Sequence, residues 1–147
     1  LKGIFEVNFN GAFRACQIFG DYFKQRDRPT SIINIGSISG LTPLSDRFIQ
    51  SASKAALHNL TKNLAREWAE FDIRVNTLIP GFFPAAQSAT MLDDARVLEI
   101  LRKTPSSRFG SPDELVGATL LLASHSAGGF ITGSEIVVDG GFSATSI

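Results

Sequence analysis

A lone cysteine, Cys16, rules out an internal disulfide, so whatever holds this chain together is burial and hydrogen bonding. Its place in an apolar helical stripe marks it as a small buried side chain rather than a reactive thiol. A surplus of one charge is also missing: 14 Lys and Arg balance 14 Asp and Glu, and no basic cluster gathers on one segment. That removes the electrostatic footprint of a nucleic-acid or anionic-membrane binder. No apolar run approaches the ~20 residues that span a bilayer; the longest, residues 115–123, is interrupted by Gly117. Glu6, Asn8 and Asn10 break up the N-terminal apolar residues where a secretory leader would be continuous, so a reduced, cytoplasmic setting is expected. The two histidines, His58 and His125, have no partner at metal-ligand spacing and are expected to be solvated or structural, with no metal bound. The sequon Asn59-Leu60-Thr61 falls inside an expected helix and is taken as chance. A small molecule, or a second copy of the chain, is the expected partner.

What is present is a chain of 147 residues, 44% hydrophobic, the size of one globular domain. Leu1, Ile4, Phe5, Asn8, Ala12, Ala15, Cys16, Phe19 and Phe23 recur at helical spacing and predict a helix over residues 1–26 that buries this side. Phe9 and Phe13 form a second ridge, so this helix is expected to pack on two neighbours. Ser31-Ile32-Ile33-Asn34-Ile35-Gly36 reads as a short buried parallel strand. A helix with a small-residue face is predicted over 47–71, a strand over 73–79, helices over 90–103 and 112–123, and a last strand over 135–138. Ser111 and Pro112 carry the signals of a helix start. The alternation implies an α/β fold with a doubly wound parallel sheet and helices on both faces. Ligands bind beyond the carboxyl ends of such strands, where Ser37, Pro80-Gly81 and Asp139-Gly140-Gly141 all fall.

Ser37, Gln50 and Lys54 are the candidate site residues, although Ser37 or Lys54 taken singly reads as a turn serine or a surface lysine. Gln50 and Lys54, four residues apart, share one helix face. The order Ser37, Gln50-Ser51-Ala52-Ser53-Lys54, Arg74-Val75-Asn76, Pro80-Gly81, Arg108-Phe109-Gly110-Ser111-Pro112, Ile131-Thr132-Gly133 and Val138-Asp139-Gly140-Gly141 resembles the C-terminal three-fifths of a short-chain dehydrogenase/reductase. The resemblance implies a Rossmann-type sheet, of which three strands with flanking helices are expected here. It implies NAD or NADP as cofactor and hydride transfer to or from a secondary alcohol or ketone. By it, Ser37 would hydrogen-bond the substrate oxygen, Lys54 would hold the nicotinamide ribose, and Asn8 would order a water linked to that lysine. Pro80, Gly81, Phe82 and Phe83 would lie against the nicotinamide. The sequences Ile79-Pro80-Gly81-Phe82-Phe83-Pro84 and Asp139-Gly140-Gly141-Phe142 resemble the sugar-acid branch, typified by gluconate 5-dehydrogenase and mannonate oxidoreductase.

Three departures qualify what the resemblance implies. Gln50 stands where the family has a proton-transferring tyrosine; a carboxamide has no titratable proton near neutrality, and a positioned general acid supplies ~10²- to 10⁴-fold in rate. Tyr22, about 21 Å along the first helix from Asn8 at ~1.5 Å per residue, cannot replace it. Ala85 occupies the place of a cofactor-binding threonine. The family's glycine-rich phosphate turn would lie before residue 1, so the chain is expected to be a C-terminal part of one domain, with a weak hold on dinucleotide and an open edge on its first strand. A non-catalytic binding or oligomerisation chain is the competing expectation, because the helices at 1–26 and 47–71 match those that pair subunits into dimers or tetramers in this family. Ser51-Ala52-Ser53-Lys54 also fits the Ser-x-x-Lys pattern of penicillin-binding hydrolases, but the partner motifs Ser-Asp-Asn and Lys-Thr-Gly are absent.

Overall fold

A computed structural model describes residues 2–26, 28–83 and 94–145. Its sheet has three parallel strands in the order β1 (Thr30–Ile35), β2 (Ile73–Pro80), β3 (Glu135–Val138). Thr30 pairs with Ile73 and Ile35 with Leu78; on the other side Thr77 pairs with Glu135 and Pro80 with Val138. The helices are α1 (Lys2–Phe5), α2 (Ala12–Lys24), α3 (Phe48–Trp68), α4 (Asp94–Lys103), α5 (Val116–Ala123) and α6 (His125–Gly128).

Strand alternation sorts the side chains onto two faces. Ile32, Ile73 and Val75 face α2 and α3 and form a core with Cys16, Ala65 and Trp68. On this face Asn34 donates from Nδ2 to Thr61 Oγ1 at 2.9 Å and accepts from Cys16 Sγ at 3.6 Å, so burial, which raises the Cys16 pKa, is matched by a polar neighbour. On the opposite face Ser31 and Arg74 reach α5, both donating to the carbonyl of Leu122 at 2.8 and 2.9 Å. Arg74 also donates to the carbonyls of Ser124 and Ile131, and Asn76 is fully buried between Ile131 and Ser134. The Arg-Val-Asn triplet thus has a structural task. Arg74 and Asn76 tether the segment that leads into β3, while Val75 packs in the core between them.

The single helix predicted over 1–26 is interrupted. Glu6–Gly11 forms a π-helical turn between α1 and α2, and among the described residues the predicted stripe is buried only at Cys16, with Gly20 beside it. Phe19 remains 55% exposed and Ala15 is exposed. Gly20 lies so near the Trp68 ring that a Cβ there would come within 2.4 Å, which is why close packing occurs at the glycine instead of along the aromatic ridge. The helix predicted over 112–123 opens as a 3₁₀ turn, Pro112–Leu115, and that over 47–71 closes as one, Ala69–Phe71. Residues 90–93 of the helix predicted over 90–103, and Ala85, lie outside the described residues. No helix among the described residues is long and apolar enough to cross a membrane.

Candidate active site

Because all three strands are parallel, their carboxyl ends share one edge, and Ser37, Gly81 and Asp139 are the first or second residues past it. Ser37 has extended backbone, and its hydroxyl accepts from the Ser39 N–H at 3.2 Å and from Ser39 Oγ at 2.9 Å. A hydroxyl has two acceptor positions and one proton. With both acceptor positions taken, Ser37 keeps its O–H to donate.

Lys54 comes to the same strand end. Its Nζ donates to the carbonyl of Ile35, two residues before Ser37, at 2.7 Å. The side chain is half-buried, and that burial pushes the ammonium pKa below its ordinary value. Among the described residues one of its three N–H donors is engaged, leaving two.

Asn8 lies in the π-helical turn, the kind of local widening that often accompanies function. Its Nδ2 donates to Ser53 Oγ at 3.1 Å, and that hydroxyl donates to the carbonyl of Gln50 at 2.7 Å. The turn therefore ties the first helical segment to the start of α3, where Gln50 and Lys54 lie one helical turn apart. The partly buried Gln50 carboxamide makes no hydrogen bond among the described residues.

The residues expected to meet the nicotinamide are engaged inside the fold. Gly81 N–H donates to the Val138 carbonyl at 2.9 Å, and the Phe82 carbonyl accepts from Gly110 N–H at 3.0 Å. A Cβ on Gly81 would meet the Asp139 Cα at 2.6 Å, so glycine is needed there for the approach of the turn after β3. Phe82 packs edge-on against Phe142, with ring centroids 5.1 Å apart, and Phe83 lies against Gly110. Asp139 closes this corner: its carboxylate accepts from Gly141 N–H, Ser143 N–H and Ser143 Oγ. Burial works against its charge, yet these donors hold its pKa below the ordinary value. Gly140 and Gly141, with φ of 63° and 88°, supply the left-handed backbone that the turn requires.

The family model described as enoyl-(acyl carrier protein) reductase, one of the short-chain dehydrogenase/reductase models, matches residues 1–143. The chain belongs to the short-chain dehydrogenase/reductase family. It is 41% identical over 97% of its length to the uncharacterized oxidoreductase UxuB of Bacillus subtilis (strain 168), covering 53% of that protein. Over 96% of its length it is 38% identical to the galactitol 2-dehydrogenase (L-tagatose-forming) of Cereibacter sphaeroides, covering 56% of it. A crystal structure of a gluconate 5-dehydrogenase from Burkholderia cenocepacia J2315, in complex with NADP and tartrate, superposes with a TM-score of 0.89. Identity to that protein is 33%, over 95% of this chain and 55% of the other. The chain spans about half the length of the curated relatives it matches.

In this family member the structure thus brings Ser37 and Lys54 to one strand end and links Asn8 to Gln50 through Ser53. The Pro80–Phe83 segment follows the neighbouring strand. One residue near the site was read from the sequence only as solvated or structural. His58 is 4% exposed, and its Nε2 accepts from the Ser37 N–H at 3.3 Å. The available signal was its spacing, four residues beyond Lys54 on the helix face that already carries Gln50.

Proposed function

We propose that this chain is the site-bearing part of an NAD(P)-dependent oxidoreductase that moves hydride between a nicotinamide and a secondary alcohol or ketone of a small, polar, sugar-acid-like substrate. The observation that carries this reading is the convergence of the Ser37 O–H and the Lys54 ammonium on the carboxyl end of β1. The gluconate and galactitol relatives support the substrate class. Residues 1–147 are read as the C-terminal part of a single dinucleotide-binding domain, acting in the cytoplasm. Assembly as a homodimer or homotetramer through the helices at 1–26 and 47–71 is supported by the exposed Val7, Ile18 and Phe48.

Lys54 supplies the test of fit for the cofactor. A half-buried ammonium, anchored by one donor to a strand-end carbonyl and keeping two, suits a ribose diol. When bound, the nicotinamide would supply or accept the hydride. Ser37 would then donate to the substrate oxygen, stabilising the negative charge that gathers on it during reduction. Gln50 has a carboxamide N–H to add to that oxygen but no proton to surrender. Turnover is therefore expected ~10²- to 10⁴-fold below that of a tyrosine at this position. Asn8 and Ser53 fix the first turn of α3, and hence the spacing of Gln50 and Lys54 relative to the strand.

Gln50 also favours a second reading, a chain that binds ligand or assembles but does not turn over. One experiment separates the two. The full-length protein is titrated with NAD(H) and NADP(H) by calorimetry, and then assayed at the reduced-cofactor absorbance band against polyols and sugar acids. The proposal expects slow turnover of at least one substrate, reduced further by Ser37→Ala; cofactor binding without turnover on any of them favours the second reading, and no cofactor binding removes the oxidoreductase reading.

A further inference from the structure

We propose that His58 is a positioning residue for Ser37: its Nε2 holds the Ser37 amide, and through it the hydroxyl, at the carboxyl end of β1, while the Glu135–Lys62 pair faces the other ring nitrogen, Nδ1. This rests on the reading of Ser37 as the donor to the substrate oxygen.

The geometry leaves the imidazole little choice. Because Nε2 accepts a backbone N–H, it carries no proton, and the neutral ring is protonated at Nδ1. Nδ1 is buried without a hydrogen bond among the described residues, and Glu135 Oε1 lies 4.0 Å from it, itself paired with Lys62 Nζ at 2.7 Å. The ring is also clasped on two sides by bare backbone. A Cβ on Gly36 would stand 2.4 Å from Nε2, and one on Gly40 would stand 2.7 Å from Cε1. Both glycines flank the segment that presents Ser37, so the chain has made room for this ring where the candidate donor is set.

The charged groups around the ring act in a defined sense. Lys54 and Lys62 lie one turn either side of it on α3, and Glu135 faces it from β3. Neither β1 nor the turn at Ile38–Gly40 adds a titratable group. Burial favours the neutral ring, Glu135 opposes this, and the two lysines reinforce it, so the pKa falls below the usual histidine value. Protonation at Nε2 would set one donor against another, the Ser37 N–H, and release the strand end. The donor arrangement is thus intact at neutral pH and lost as pH falls through the lowered value.

Nitrogen-15 NMR of the full-length protein tests this. The expected result is an unprotonated Nε2 at neutral pH, with a Ser37 amide proton that is downfield and moves at the midpoint of the His58 titration. His58→Gln, which keeps an acceptor, should leave that amide slow to exchange, and His58→Leu should speed its exchange. A proton on Nε2 at neutral pH, or a Ser37 amide indifferent to the His58 titration, overturns the proposal, and both are read on the unsubstituted chain. If the signature holds while the full-length protein turns nothing over, the contact stands as structural, and the positioning role falls with the oxidoreductase reading. If turnover is found and the signature is absent, the positioning role alone fails.

Discussion

Gly36→Ala places a methyl group where the His58 ring and Thr77 already stand. The new Cβ would lie 2.4 Å from His58 Nε2 and 2.7 Å from Thr77 Cγ2, both under buried side chains. Overpacking a fixed core costs about 1–3 kcal/mol. Displacing the ring also breaks its bond to the Ser37 N–H, worth about 1 kcal/mol. Against this, alanine reduces the entropy of the unfolded chain and returns about 0.4–1 kcal/mol. The net expectation is a destabilisation of about 2 kcal/mol, which at a urea slope of roughly 2 kcal/mol per molar moves the midpoint by about 1 M. The decisive assay is a double-mutant cycle with His58→Ala, measured by urea unfolding followed through Trp68 fluorescence. Removing the ring makes space for the methyl, so the two changes should couple by 1 kcal/mol or more in the compensating direction. Additivity within about 0.5 kcal/mol would refute the claim that Gly36 is glycine on account of His58.

Other consequences follow from the same contacts. Arg74→Met removes three charge-assisted bonds, yet Leu122, Ile131 and Ser124 each retain a second donor, from Ser31, Asn76 and Gly128. At about 1.5–3 kcal/mol for each bond to a charged donor the gross loss is several kcal/mol, but methionine also relieves the cost of burying the guanidinium and leaves no orphaned carbonyl, so the net loss in unfolding free energy should be about 2 kcal/mol. Glu114, bound through both oxygens to Arg108 and accepting from Ser111 N–H, has its pKa lowered from 4.5 to about 2. Since its folded value is depressed, its contribution is complete above pH 4.5 and is lost as pH falls toward about 2, so Glu114→Gln should flatten stability across that interval in acid titrations. Asp139, held below the ordinary aspartate value, behaves in the same sense, and Asp139→Asn should loosen the Gly141–Ser143 turn, seen as faster amide exchange there.

The strands were legible because β-branched runs bounded by turn residues have few alternatives: Ile32, Val75 and Val138 occupy the elements that their neighbours predicted. The gathering of Ser37, Gly81 and Asp139 on one edge followed from parallel order alone. Local irregularities were not legible. The π-helical turn at Glu6–Gly11 keeps helical composition, and only the polar Asn8 within an apolar stripe hinted at a bend. Contacts across the fold were hidden too. That Gly20 admits Trp68, or that Gly36 and Gly40 admit His58, depends on which helix face meets which strand end, and periodicity does not encode it. The Arg-Val-Asn triplet was visible only as a family motif, whereas its physical role is to hold the carbonyls of residues on the path to β3.

The most direct measurement of the central claim compares the full-length protein with its Gln50→Tyr variant in cofactor-dependent oxidation of the polyol and sugar-acid panel. Restoring a titratable group beside Lys54 should raise kcat ~10²- to 10⁴-fold with little change in cofactor affinity. Equal rates in the two proteins, with cofactor bound by both, would contradict the assignment of Gln50 to the acid's position and, with it, this account of the site.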